Sequence, residues 1–243
     1  TYSVGQWRAM TVPSWDLGIF SEAAKAYSHL DAPIVPIKGP DYNLLGDHFH
    51  PILVLLGPLW ALFPSGLTLL IVQDLLLAVS AWPIVRLAQR LTHPMVALAL
   101  GLTYVLSWGF QGAVAAQFHE IAFAVPMLAF ASAAFVERRW LAVACWSAPL
   151  VLVKEDLGLT VLMIGLAVAV RGLGEVKHGR VIHPVGRLTT WQLGLALAAF
   201  GVAMFFLTTM VFLPMLNPGG SWAYSIGSGG AAGAHQDLLT RLF

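Results

Sequence analysis

Apolar stretches separated by short polar joints run the length of this chain, and the joints alternate in charge. Every second joint is basic: Arg86 and Arg90, then Arg138 and Arg139, then Arg171, Lys177, Arg180 and Arg187. The joints between them carry acids and imidazoles: Asp16 with the run Asp47-His48-Phe49-His50, then His119-Glu120, then Lys154-Glu155-Asp156. Short loops rich in Lys and Arg stay on the cytoplasmic side of a bilayer. That rule puts eight of the thirteen basic residues inside and nine of the twelve acids outside (Asp16, Glu22, Asp31, Asp41, Asp47, Glu120, Glu155, Asp156, Asp237). Parts of the chain far apart in sequence thereby bring carboxylates and imidazoles to one face of a membrane, which is the pattern of a site.

Composition agrees that lipid is the solvent. The chain is 58% hydrophobic and 10% charged, with a mean hydropathy of +0.77, whereas a soluble domain carries about 25% charge. A net charge of +1 and a pI near 7.9 supply no concentrated basic stripe, which argues against nucleic acid as a partner. The lone Cys145 permits no internal disulfide. The sequence begins at Thr1 with no signal-peptide pattern, so residues 1–243 read as a single membrane-domain fragment, with further spans expected on either side.

The expected fold is all-α, a polytopic integral membrane helical bundle. Residues 1–66 form an extracytoplasmic loop with interfacial helices, 67–216 supply six transmembrane helices, and 217–243 form a second outer loop. In the first loop, Ser14 is placed to cap a short helix with Asp16 in its first turn, where a carboxylate suits the helix dipole. Residues 51–63 are apolar but about half the roughly 20 residues that a span requires, so they read as a second interfacial helix. Spans are expected at 67–87, 94–115, 121–136, 140–153, 157–170 and 191–216. Those at 140–153 and 157–170 are short, roughly 21 Å of helix against a core of about 30 Å. Their shared corner, Lys154-Glu155-Asp156, is therefore expected below the membrane surface beside a cavity, with Pro149 kinking the helix that leads to it.

Each polar cluster has a structural and a chemical reading. Asp16 is either a first-turn acid or a general base or metal ligand at the surface. In an extended segment His48 and His50 point the same way, which suits a metal or a phosphate, or they cap the helix that begins at Pro51. Glu120 serves the start of the next span or joins His119 in binding. Lys154 neutralises a neighbouring acid or holds an anionic phosphate while a carboxylate beside it orients a sugar or a metal. Asp74 lies about two turns into a span with no basic residue at matching depth, and is expected to bond to a neighbouring helix. No phosphate-cradling glycine loop, zinc spacing or nucleophile elbow occurs.

The runs Trp15-Asp16-Leu17-Gly18-Ile19-Phe20, Asn43 to Leu53, Phe118-His119-Glu120, Lys154-Glu155-Asp156 and Asn217-Pro218-Gly219-Gly220 together resemble the predicted bacterial membrane proteins of domain-of-unknown-function family 2079. The layout also resembles the C-type fold of membrane glycosyltransferases that use polyprenyl-phosphate sugars. Those enzymes have a large first outer loop with an acid near its start, two interfacial helices, the second often following a His-Pro pair as at His50-Pro51, and an inward span ending in basic residues, as Arg86 and Arg90 do here. The chain lacks the first span of that layout and shows no clear second acid in the loop.

The resemblance implies glycosyl transfer from a polyprenyl-phosphate-linked sugar to a glycan, lipid or protein acceptor, on the outer face of a bacterial cytoplasmic membrane. Asp16, with Glu155 and Asp156, would be catalytic. Lys154, His119, Glu120 and Asp47 would bind substrate, and His48 and His50 a divalent metal such as Mg or Mn. The alternatives are a transporter, which predicts charge continuing through the bilayer, and a structural membrane protein without catalysis.

Overall fold

The computed structural model describes residues 2–11, 15–179, 182–184 and 186–220. Ser14, Arg180, Asp237 and the glycine-rich run at 226–234 lie outside the described residues. Among those described, the chain is helical throughout, and its one β-type pairing is an isolated antiparallel bridge between Ile34 and Asn43. The helices are α1 (Tyr2–Arg8), α2 (Asp16–Ser28), α3 (Leu56–Leu62), α4 (Gly66–Leu91), α5 (Pro94–Val105), α6 (Trp108–Ala115), α7 (Ala124–Val136), α8 (Trp140–Ser147), α9 (Leu157–Lys177), α10 (Thr190–Leu207) and α11 (Leu213–Leu216).

The two helices expected in the first loop are present. α3 continues a 3-10 turn at Pro51–Leu55, and α2 buries Leu17, Phe20, Ala23, Ala24 and Tyr27. α2 and α3 approach closely because Gly57 has no side chain: a Cβ there would lie 2.7 Å from the Tyr27 carbonyl oxygen. Burial raises the Tyr27 hydroxyl to about 12.

α4 shows how lipid and protein divide one helix. Ser65 caps it by accepting from the Leu67 N–H at 3.2 Å, and Thr92 and Pro94 end it. Leu69, Leu70, Gln73, Leu77 and Ser80 fall on one face and are buried, while Ile71, Leu75, Val79 and Trp82 on the other are exposed. Exposed apolar faces recur at Leu98, Leu100 and Leu102 of α5 and at Leu159, Met163 and Val170 of α9. Such surfaces belong in a bilayer.

Four helical segments are long and apolar enough to cross a membrane: Gly66–Leu91, Pro94–Ala115, Leu157–Lys177 and Thr190–Leu216. Glu120–Val136 and Trp140–Leu152, expected as spans, are shorter apolar helices. Pro149 shortens the second: after Ser147 the α-helix tightens to a 3-10 turn at Ala148–Leu152, since proline cannot donate to the α ladder. The Pro94–Ala115 segment breaks at Leu106 and Ser107, where the Gln111 amide donates to the Leu106 carbonyl at 2.8 Å. The last segment passes through a π turn at Thr208–Phe212 just ahead of Pro214.

One expected short span is corrected. α9 does not stop near Val170 but runs to Lys177, 21 residues in all. The reason lies in α10. A Cβ on Gly172 would sit 2.4 Å from the Trp191 nitrogen, one on Gly165 2.4 Å from the Ala198 nitrogen, and one on Gly194 2.3 Å from the Ala169 nitrogen. Gly158 and Gly201 meet in the same way. Glycine every seventh residue lets two backbones touch, and the contact supports the extra turns of α9. Lipid is as apolar as leucine, so helices within it associate by such close packing.

The hydrophobic core lies where α2, the Pro51–Leu55 turn, the first half of α4, Phe118, Leu150 and Val153 meet. At the far end of α4, Arg90 pairs with Glu137, which also binds Arg139 at 3.3 Å. Seventeen residues separate Glu120 from Glu137, so the two acids lie at opposite ends of their helix, about 25 Å apart. The alternating joints of the sequence are therefore separated in space as well.

Candidate functional site

The site is built on Glu155. Because the helix before it tightens at Pro149, the chain leaves helical geometry at Val153 and Lys154, and α9 begins two residues after Glu155, at Leu157. The Glu155 side chain is buried, 3% exposed, with both oxygens engaged. Oε1 lies 2.8 Å from Nδ1 of His48, and Oε2 accepts from the Phe49 N–H at 3.0 Å. Burial pushes the Glu155 carboxyl up, but the His48 hydrogen bond and charge outweigh it and leave it below its ordinary value. Burial likewise pushes His48 down, and the bond and charge of Glu155 outweigh it and raise the ring. A carboxylate only accepts, so Nδ1 carries the proton.

Two further pairs adjoin this one along the chain. Lys154 Nζ lies 3.1 Å from Glu120 Oε1, and Glu120 is buried at 5% exposure. Burial lowers the Lys154 ammonium, and the charge and hydrogen bond of Glu120 more than restore it. Next to Glu120, His119 Nε2 lies 3.3 Å from Asp16 Oδ2, both side chains partly exposed. The other nitrogen of that ring, Nδ1, lies 3.2 Å from the Gln117 carbonyl, which can only accept. The Nε2 facing Asp16 thus carries a proton only in the imidazolium form.

Next to His48, Asp47 pairs with Lys38 and accepts from the Tyr42 hydroxyl at 3.0 Å, while the Lys38 ammonium stands 5.2 Å from the centre of the Tyr42 ring. Burial raises the Asp47 carboxyl, and Lys38 and then Tyr42 pull it below its ordinary value. Lys38 and Tyr42 were missed from sequence. The turn-rich stretch that carries Lys38 is folded back by the Ile34 to Asn43 bridge, and only pairing across that turn could have pointed to it.

Three contacts therefore join remote segments, Asp16 with His119, Glu120 with Lys154 and Glu155 with His48, and Asp47 pairs with Lys38 across the nearby turn. Phe20 packs at their centre, edge-on to Phe118 at 5.3 Å, His50 at 6.0 Å and His119 at 6.3 Å. Asp16, His48, His119 and Glu155 are expected around a single outward-opening cavity; the structure links Asp16–His119 to His48–Glu155 only through the intervening Glu120–Lys154 pair. A cavity of about 320 Å³ reaches His119 past Gln73, Gln117 and Ile121, but the other charged residues of the network do not line it.

Other expected roles divide. Asp156 is exposed at the start of α9, makes no side-chain cap there, and reaches Lys154 only through its charge. His50 does not cap the turn that follows it. It is 1% exposed, and burial lowers its ring to about 4, so it is neutral near pH 7. His48 and His50 thus stand in different surroundings. Among the described residues, no group of three or more His, Cys, Asp or Glu side chains is arranged to hold a metal ion.

The segment around Asp47 also meets the C-terminal end of the described chain. The Asn217 side chain donates to the Gly46 carbonyl at 3.0 Å, and its Oδ1 accepts from Gly219 N–H at 2.8 Å. A Cβ on Gly46 would lie 2.4 Å from the Asn217 nitrogen, so glycine is required there. Phe49 stacks on Phe212 at 5.3 Å. The segments around Asp47 and Asn217, singled out for their sequence, are one unit in space.

A family profile described as a predicted membrane protein, DUF2079, matches residues 8–243. The chain belongs to the DUF2079 family. No curated protein and no solved structure matches it. As a DUF2079 protein with four helices suited to crossing a bilayer, it is a membrane protein, and every element of the charged network lies within the matched region.

Proposed function

We propose that this DUF2079 protein is an inverting glycosyltransferase that uses a polyprenyl-phosphate sugar at the outer face of a bacterial cytoplasmic membrane. The observation that carries the reading is the junction of Asp16 and His119 with Lys154 through Glu120. Glycosyl transfer needs a base for the acceptor hydroxyl and a cation for the departing phosphate, and both occur in one network. Asp16 Oδ2 lies 3.3 Å from His119 Nε2 with both side chains partly exposed, so an acceptor hydroxyl can approach the carboxylate from solvent.

In the proposed step Asp16 takes the hydroxyl proton. The freed oxygen attacks the anomeric carbon from the face opposite the phosphate, forming the new glycosidic bond. The bond between that carbon and the phosphate oxygen breaks, and the electron pair leaves with the polyprenyl phosphate, which Lys154 steadies. Glu155 holds His48 through Nδ1 and favours its protonated ring, whose Nε2 then donates to the sugar or phosphate, which makes Glu155 a positioning residue, and Asp156 stays a solvent-side acid. No step is routed through a metal. Stimulation of transfer by Mg or Mn, lost on His48→Ala, is the outcome that a metal role for His48 requires.

The test is sugar transfer by the full-length protein in liposomes, with a panel of polyprenyl-phosphate sugars and acceptors. Transfer in the wild type that falls by about 10²- to 10⁴-fold in Asp16→Asn supports the reading. Full activity in Asp16→Asn removes the base assignment.

A further inference from the structure

Gln73 and Asp74 are adjacent polar residues inside α4, and the structure treats them differently. Gln73 is satisfied on every side: its amide donates to the carbonyls of Ala113 and Gln117 at 3.0 and 2.8 Å, and its oxygen accepts from the His119 N–H at 2.9 Å. It ties α4 to α6 and to the loop that carries His119. Asp74 is half satisfied. Oδ2 accepts from the Ser3 hydroxyl at 2.8 Å, while Oδ1 is buried with no hydrogen-bond partner among the described residues.

That carboxyl lines a cavity of about 750 Å³ between α1, α4, α5 and α6. The volume is that of a small-molecule site. The walls are mostly apolar, with Leu77, Ala78, Val105 and Val114 contributing, and no basic residue is among the described residues that line it. Two aromatic residues, Tyr2 and Phe110, share the wall, and aromatic ring faces attract ammonium groups. A carboxyl at membrane depth is costly unless its charge is matched, and the described residues lining the cavity supply a hydroxyl and no cation.

From this geometry we propose that the cavity binds an amphiphile with a cationic amine, the ammonium on Asp74 Oδ1 and the apolar tail along Leu77, Ala78 and Val114. Charge complementarity selects this occupant over a neutral lipid tail. The site is separate from the charged network at Glu155, and it stands whether or not the chain transfers a sugar.

The experiment is equilibrium binding of dodecylamine, with dodecanol as the uncharged control, to the full-length protein in phosphatidylcholine nanodiscs at neutral pH. The wild type should bind the amine saturably and more tightly than the alcohol. Asp74→Asn should weaken the amine by about ten-fold or more, the effect of losing a charge-assisted hydrogen bond, and leave the alcohol unchanged. Ala78→Phe, which fills the cavity and keeps the acid, should weaken both, and it decides the question if Asp74→Asn does not fold. Equal binding of amine and alcohol to the wild type, or amine binding that survives Ala78→Phe, overturns the proposal.

Discussion

Between α9 and α10 the contact is made of backbone: Gly158, Gly165 and Gly172 face Gly194, Ala198 and Gly201, and a single methyl group would collide. Around Glu155 the contact is made of polar groups: three ion pairs and the Asp16–His119 contact link segments up to 107 residues apart, and each of the three ion pairs includes a side chain less than a tenth exposed. The first arrangement is indifferent to pH and does no chemistry. The second desolvates titratable groups, whose burial costs as much as their attraction returns and is weak evidence for stability. A chain that can fasten its helices with glycine does not need buried ion pairs to hold its fold, and the proposed chemistry would give the charges around Glu155 a use.

The comparison breaks first at the glycine seam. Gly165→Leu should destabilise the protein by about 3 kcal/mol, the top of the usual range for overpacking, because the added atoms meet the Ala198 backbone. Thermal unfolding in detergent, with the fraction of dispersed protein recovered, measures it. A fully stable Gly165→Leu protein would mean that the seam is not what holds α9 and α10.

Next in size is the opposite pH response of two histidines two positions apart. His50 is lowered from 6.5 to about 4. Its unfolded form therefore binds a proton that the folded form refuses between those values, and stability falls as pH drops through that window, by roughly 2–3 kcal/mol at pH 4. His48 is raised above 6.5, so its contribution is present below 6.5 and is lost as pH climbs through the raised value. Glu155, lowered from 4.5, contributes above 4.5 and loses that as pH falls through its lowered value. Urea or thermal unfolding across pH 4 to 8 should show acid loss in the wild type and much less in His50→Leu.

A finer test isolates the partner of His48. Glu155→Gln removes the charge and the hydrogen bond that outweigh burial, so the His48 ring should titrate below its wild-type value. NMR of labelled histidine in the full-length protein reads this directly, and an unmoved His48 would separate the two side chains. The smallest expected effect is at the other end of the molecule. Arg90 is half exposed in its pair with Glu137, so Arg90→Ala should cost only about 0.2–1 kcal/mol, less at high salt.

Much of this architecture was legible in the residues. The alternation of basic and acidic joints separated the Arg90 and Glu137 end from the Glu155 end, and Pro149 foretold the tightening that leads into Lys154. The same alternation grouped Asp16, His119, Glu120, Lys154, Glu155 and His48, but not which of them pair. What stayed hidden depends on contacts between segments. The extension of α9 to Lys177 is written in the spacing Gly158, Gly165, Gly172 against Gly194 and Gly201, a pattern that shows its meaning only when the two helices are set against each other. Lys38 and Tyr42 reach Asp47 across a turn whose register no local pattern gives. His50 looks like a twin of His48 in sequence, and only its packing against Phe20 makes it a buried neutral ring. The last span reads through to residue 216, but nothing local announces the π turn at Thr208–Phe212 inside it.

Under the proposed function the charges around Glu155 serve chemistry and the glycine seam serves the fold. Asp16→Asn tests it most directly, because Asp16 is partly exposed and its pair with His119 contributes little to stability. Measured at matched amounts of folded full-length protein in liposomes, transfer from a polyprenyl-phosphate sugar should fall by about 10²- to 10⁴-fold, with the unfolding midpoint shifted by no more than about 2–4 °C. Transfer at the wild-type rate, or a loss of transfer that merely follows a loss of folded protein, would contradict the account.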